Sequence, residues 1–86
     1  MSENKSITLE ILNESYNIKS DIPEQELLEM SKILNDKMTA IQEKQPSLYY
    51  KTIAVLAGLE LAREYLALRK EHASLNKLLK DEKLLF

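Results

Sequence analysis

His72 is the only histidine in the chain and is therefore the first candidate for acid–base chemistry. A catalytic base needs a nucleophile and an orienting partner within hydrogen-bonding reach. Ser74 stands two residues further on, and side chains two positions apart on a helix do not face each other. We therefore interpret His72 as a polar position of a helix–helix interface, where it fixes the register and makes assembly sensitive to pH.

No other set of residues has the composition of a catalytic, cofactor or metal site. The single glycine cannot form a phosphate-binding loop, and without cysteine the chain has neither thiolate ligands nor disulfides. One histidine cannot build a zinc site alone. Five of the fourteen Asp and Glu residues fall in the first predicted helix, on its outer face, as solvated charges do. We expect a protein that is not an enzyme and that uses no cofactor.

The N-terminal segment has the pattern of a β-hairpin. Ile7, Leu9 and Ile11 alternate with polar residues, Asn13 interrupts the alternation, and it resumes through Ile18. An isolated two-stranded hairpin is marginally stable in water. It therefore needs support from the helices that follow.

Two helices follow the hairpin. Asp21 has the features of an N-cap, with Glu24 completing a capping box, so the first helix is predicted over about Ile22–Glu43. Its apolar residues recur every three or four positions, as on an amphipathic helix. Pro46 ends this helix, and Ser47 is predicted to cap the second.

The second helix carries a heptad pattern toward the C-terminus. From Ser47 onward only Gly58 disfavours helix, so about 35 or more residues, or roughly 50–55 Å, are predicted as one helix. Such a helix projects beyond a compact head and needs a partner to cover its leucines. The predicted dimer seam consists of residues spaced alternately four and three positions apart: Leu61, Tyr65, Leu68, His72, Leu75 and Leu79.

The fold class follows from these elements. We predict an α+β fold that is mostly α, with an N-terminal β-hairpin, one amphipathic helix and a long C-terminal coiled-coil helix, in a homodimer. Residues 1–6 are expected to be a disordered N-terminus, residues 7–60 the head, and residues 61–86 the coiled-coil helix. An 86-residue chain without disulfides has a limited core, which favours oligomerisation.

Charge and hydropathy narrow the class of partner. The net charge is −2, with five lysines against nine acids in residues 1–46 and six basic residues against four acids in residues 63–86. This balance does not favour nucleic-acid binding. No apolar segment is long enough for membrane insertion, and no signal-peptide pattern is present, so we expect a cytoplasmic protein.

Three stretches in order resemble the ZapA family of bacterial cell-division proteins. ILNESYNI is similar to that family's strand–turn–strand motif, IPEQELLEMSKILNDKM to its first helix, and IAVLAGLELAREYL to the alanine-rich start of its second helix. The resemblance covers about residues 7–80. Asn13 stands where the family typically has a turn glycine, and Asn tolerates positive φ better than most residues.

The resemblance implies a non-enzymatic accessory of the cytokinetic Z-ring, located at the division site. Such proteins bind the tubulin-like GTPase FtsZ and bundle its filaments, as dimers or dimers of dimers. The head positions that carry over as FtsZ contacts are Glu14, Asn17, Lys51 and Leu56. Glu14 and Asn17 replace basic residues common in the family.

Two other functions stay open from the sequence. One is a dimeric coiled-coil adaptor for an unrelated partner. The other is a small DNA-binding repressor, although the polar strand residues are poor in Lys and Arg for a phosphate-facing ribbon. Tyr49 and Tyr50 are adjacent at a helix start, so we expect one in the core and one exposed, where it offers an aromatic contact to a partner.

Overall fold

The chain folds into a hairpin followed by two helices. A computed structural model describes the backbone of residues 5–85 and the side chains of residues 5–78. Strands β1 (Lys5–Ile11) and β2 (Glu14–Ser20) precede helix α1 (Glu24–Lys44) and the long helix α2 (Tyr50–Leu85). The predicted α+β, mostly helical fold is therefore confirmed.

A two-residue turn joins the antiparallel strands. Leu12 and Asn13 both have positive φ, at 49° and 70°, which is the signature of a type I′ hairpin turn. Asn13 thus takes the left-handed conformation expected of it, and Leu12 shares it. The turn sets the register, with Leu9 opposite Tyr16 and Ile11 opposite Glu14.

The hairpin is longer than its apolar pattern indicates. Lys5 pairs with Ser20 and Ser6 with Lys19, so the prediction of a disordered segment over residues 1–6 is wrong at Lys5 and Ser6. Both pairs join exposed or half-buried polar side chains, which add ladder hydrogen bonds without adding to the apolar alternation. Residues 1–4 lie outside the described residues.

Asn35 of α1 attaches the end of β1 to the helix. Its Oδ1 accepts a hydrogen bond from the backbone N–H of Leu12 at 2.7 Å, and its Nδ2 donates to the carbonyl oxygen of Glu10 at 2.7 Å. Leu9 and Ile11 are buried on the inner face of the hairpin, where β1 packs on α1. The hairpin is therefore supported by apolar packing and by one bidentate amide.

Replacing Asn35 with alanine is expected to lower the free energy of unfolding by about 1–3 kcal/mol, because it leaves the partly buried N–H of Leu12 without its acceptor. Urea unfolding followed by circular dichroism at one fixed protein concentration measures the change. Gln42→Ala, at an exposed position of the same helix, is the control and should change stability little. Equal losses in the two variants would contradict a specific role for Asn35.

The start of α1 differs from the prediction. The helix begins at Glu24 with Pro23 as N-cap and no side-chain cap, so the predicted start at Ile22 and the Asp21 capping box are wrong. Ile22 precedes a proline, which disfavours helical backbone. Its N–H instead donates to the Ser20 side-chain oxygen at 3.0 Å. Helix α1 ends at Lys44, and Gln45, which precedes Pro46, leaves helical geometry as predicted.

The predicted Ser47 cap is also wrong. Helix α2 begins at Tyr50, and the N–H of Ile53 donates to the carbonyl oxygen of Tyr49 at 3.0 Å. A separate hydrogen bond from the N–H of Leu48 to the carbonyl oxygen of Gln45 closes a turn across the intervening residues. Because Ser47 lies within that turn, the helix starts only after it.

The core of the head lies between the two helices and the end of β1. Met38 and Ile53 are each 1% exposed and are its largest fully buried side chains. Ile11, Ile41 and Ala57 complete the buried cluster. Lys37 of α1 adds ion pairs to Glu60 and Glu64 of α2 at its edge.

Helix α2 extends well beyond this core. The radius of gyration is 18.2 Å, whereas a compact chain of this length would have about 12 Å. From Ala62 to Leu78 every described side chain is exposed. None of the described helices is long and apolar enough to cross a membrane.

Candidate interaction surfaces

The predicted seam is an exposed apolar face of α2. Tyr65, Leu68 and Leu75 are 59%, 66% and 53% exposed. Successive helical residues are about 100° apart, so these three and His72 lie within an arc of roughly 80°. The Arg69 guanidinium lies 5.6 Å from the centre of the Tyr65 ring, at the edge of this face. The side chain of Leu79 lies outside the described side chains.

The seam continues into the head through Leu61, which is half-buried. Leu61 lines a groove of about 370 Å³ together with inner-face residues of β1 and residues of α1. Met30 and Ile33 of this groove are 48% and 53% exposed, whereas Leu27, Met38 and Ile41 of the same helix are buried. The head and the projecting helix therefore share one continuous apolar surface that the protomer itself does not cover.

A chain of hydrogen bonds joins the hairpin to the start of α2. The Tyr16 hydroxyl donates to the Tyr50 hydroxyl at 2.9 Å, and the Tyr50 hydroxyl donates to the carbonyl oxygen of Ile11 at 2.8 Å. Burial, the hydrogen bond with Tyr16 and the nearby charges of Tyr16 and Glu14 raise the pKa of Tyr50 to about 12. Tyr50 thus fixes the junction between hairpin and helix.

Tyr50→Phe is expected to lower the free energy of unfolding by about 0.5–1.5 kcal/mol at neutral pH, because the hydrogen bond to Ile11 is lost. Since the pKa rises from 10.0 to about 12 on folding, this contribution is full below pH 10 and is lost as the pH rises through about 12. Tyrosine absorbance and unfolding curves measured across this range check both effects.

Tyr49→Phe is the matched control, because Tyr49 is adjacent and 84% exposed. It should leave neutral-pH stability unchanged and keep the alkaline loss of stability. If Tyr50→Phe behaved like Tyr49→Phe, the hydrogen-bond chain would have no role at this junction. The two tyrosines also confirm the expectation that one packs into the head and its neighbour is exposed.

The structure separates the four predicted partner contacts. Glu14 lies close enough to Tyr50 to affect its pKa, and the exposed Lys51 follows Tyr50 in the first turn of α2. Asn17 lies on the outer face of the hairpin, where its Oδ1 accepts a hydrogen bond from Ser6 at 2.8 Å. Leu56, which is 37% exposed, lies apart from them in a groove between α1 and α2.

Sequence reasoning missed Asn35 and the Tyr16–Tyr50 pair as residues that hold the head together. The only signal for Asn35 was an amide within an amphipathic helix, and such a residue is more often solvated. Within the described residues, no three His, Cys, Asp or Glu side chains lie close enough together to hold a metal ion.

Comparisons with known proteins identify the family. The family model described as Cell division protein ZapA matches residues 7–84. Curated ZapA proteins of Bacillus pumilus and Bacillus mycoides are 32% and 33% identical over 75 and 73 residues, covering 87% and 84% of this chain and 88% and 82% of theirs. A solved ZapA mutant dimer from Geobacillus stearothermophilus superposes with a TM-score of 0.72 at 29% identity, covering 93% of each chain. The chain therefore belongs to the ZapA family of cell division proteins.

Proposed function

We propose that this protein is a dimeric, non-enzymatic accessory of cell division that binds FtsZ filaments through its head and cross-links them. The observation that carries this proposal is an uncovered apolar seam on a helix that projects from a small head. Membership of the ZapA family supports the role in division, and the similar ZapA mutant dimer supports self-association. The protein would act in the cytoplasm, at the division site.

The dimer is the first step of the mechanism. An isolated chain would leave Leu68 and Leu75 in water, and burying each leucine is worth about 1.5–3 kcal/mol. The seam is continuous with the groove beside Leu61, so a second copy laid along it would cover part of the head as well. The core of one head is small, and this contact would enlarge it.

Bivalency is the second step. Helix α2 has 36 residues, which corresponds to about 54 Å, so it serves as a spacer that carries a head. Two heads on one dimer can contact two filaments, and linking weak sites raises avidity by about 10²–10⁴ without any new contact. Glu14, Asn17, Lys51 and Leu56 remain the proposed head residues for contact with FtsZ.

Co-sedimentation with FtsZ polymerised in GTP tests the proposal. The wild-type protein should pellet with the filaments and increase their bundling at physiological salt. FtsZ held in GDP, which supplies the same protein without filaments, is the control and should leave the protein in the supernatant. Protein that stays in the supernatant with GTP filaments, with bundling unchanged, would refute the proposal.

A further inference from the structure

A second exposed surface lies in a groove between the end of α1 and the following part of α2. The groove has a volume of about 330 Å³, and Ile41, Leu56 and Leu59 supply its apolar lining. Leu59 is 62% exposed, which is high for a leucine of the head. Lys44 of α1 and Arg63 of α2 add a cation from each helix.

Two lines of like charge follow α2. Arg63, Lys70 and Lys77 are spaced seven residues apart and are all exposed, so they follow one line along the helix. Glu60, Glu64 and Glu71 form a second line, about 100° around the helix from the first.

The acidic line is turned toward α1, where it is partly neutralised. The Nζ of Lys37 lies 3.7 Å from Oε1 of Glu60 and also forms an ion pair with the carboxylate of Glu64. Glu60, the one acid that borders the groove, is therefore already engaged by a cation of the same protomer. The groove keeps two cations of its own, and the basic line extends from it along α2.

This surface is separate from the seam. Arg63 lies about 160° around the helix from Leu61, so a second copy that covers the seam leaves the groove open. Val55 and Leu66, which are exposed near Leu59, extend its apolar part along α2. The surface therefore combines leucines that one protomer does not bury with Arg63 and Lys70, which form no ion pair among the described side chains.

We propose that this groove, continued by Lys70, docks an acidic amphipathic helix of a partner protein. A helix laid in a groove uses apolar anchors three, four and seven residues apart, and Leu56 and Leu59 with Ile41 would receive them. Carboxylates beside those anchors would face Lys44, Arg63 and Lys70. These rim charges would steer the segment and select it over a neutral or basic one. The inference extends the proposed function and rests on it, because it takes the docked segment to belong to the division partner.

The test uses the full chain and synthetic peptides of about 14 residues, roughly four helical turns. One peptide carries leucines at helical spacing flanked by glutamates, the second has lysines in place of the glutamates, and the third is a scramble of the first. Fluorescence anisotropy should show binding of the acidic peptide alone. Arg63→Glu and Leu59→Ser should each weaken it about tenfold or more, which corresponds to roughly 1.4 kcal/mol or more.

Lys32→Glu is the matched control for Arg63→Glu, because it makes the same change of charge on the exposed face of α1, beside Asp36. It should leave peptide affinity unchanged, and sedimentation velocity should give every variant the wild-type oligomeric state. Equal binding of the three peptides, or binding unaffected by Arg63→Glu, would overturn the inference. Loss of the oligomer in Leu59→Ser would overturn it as well, because a second copy would then occupy the groove.

Vesicles and FtsZ filaments distinguish peptide docking from lipid binding and from the filament contact. If the wild-type protein binds vesicles of phosphatidylglycerol and phosphatidylcholine but not the acidic peptide, and Arg63→Glu abolishes vesicle binding, the surface binds lipid. That result would overturn the inference. Wild-type protein that binds the acidic peptide but not FtsZ filaments would uphold the docking surface and refute the proposed function. If FtsZ filaments bind both the wild-type protein and Arg63→Glu, and the wild-type protein does not bind the acidic peptide, only the docking surface is refuted.

Discussion

Replacing Leu68 and Leu75 together with alanine is expected to convert the proposed dimer to monomer. Both side chains are more than half exposed in the protomer and lie on the same face of α2. Two substitutions in two chains remove four leucines from the seam, and at about 1–2 kcal/mol each the loss is about 4–8 kcal/mol. The dissociation constant should rise by about three orders of magnitude or more.

Sedimentation velocity over a range of protein concentrations measures this change. Leu28→Ala with Leu78→Ala is the matched control, because these leucines are 48% and 59% exposed but lie off the seam, Leu28 on α1 and Leu78 on another face of α2. The control should keep the wild-type association. A dimer that survives Leu68→Ala with Leu75→Ala, or is lost only in the control, would place the interface on another face.

Local periodicity explains why the elements were predictable. The alternation of Ile7, Leu9 and Ile11 requires only neighbouring residues, and the heptad spacing of the leucines is equally local. Both patterns correctly predict strand and helix. Whether a helix or a strand forms depends on many positions together, so no single residue decides it.

Element boundaries depend on single residues, and here competing local effects decided them. Proline disfavours helical backbone at the residue before it, so α1 ends at Lys44 and Gln45, before Pro46, is not helical. The same effect acts on Ile22, before Pro23, whereas the capping-box pattern of Asp21 and Glu24 predicts a helix that already includes Ile22. Proline prevailed over the side-chain cap because its steric clash is unavoidable, whereas a cap is worth only about 1 kcal/mol.

The interaction surfaces were predictable only in part, because they combine residues distant in the sequence. The seam lies on one helix, so spacing alone placed its members on one face. The link from Tyr16 to Tyr50 and the clamp from Asn35 to β1 join residues more than 20 positions apart. The excess of positive charge in the groove likewise depends on a contact between the helices, because Lys37 of α1 pairs with Glu60 and Glu64 of α2.

The monomeric Leu68→Ala, Leu75→Ala variant also gives the sharpest functional prediction: it should bind FtsZ filaments weakly and fail to bundle them. Its head should be intact, because neither leucine belongs to the buried cluster of Met38 and Ile53. A single head forms one filament contact, so the avidity of about 10²–10⁴ that two linked heads supply should disappear.

Low-speed and high-speed pelleting of FtsZ in GTP distinguish the two activities, since bundles pellet at low speed and single filaments only at high speed. The variant should be absent from the low-speed pellet and present in the high-speed pellet only when its concentration is raised. The Leu28→Ala, Leu78→Ala control should bundle like wild type. If the monomeric variant bundles filaments as well as wild type, each head must hold two FtsZ sites. In that case α2 would not serve as the spacer, because the cross-link would lie within one protomer.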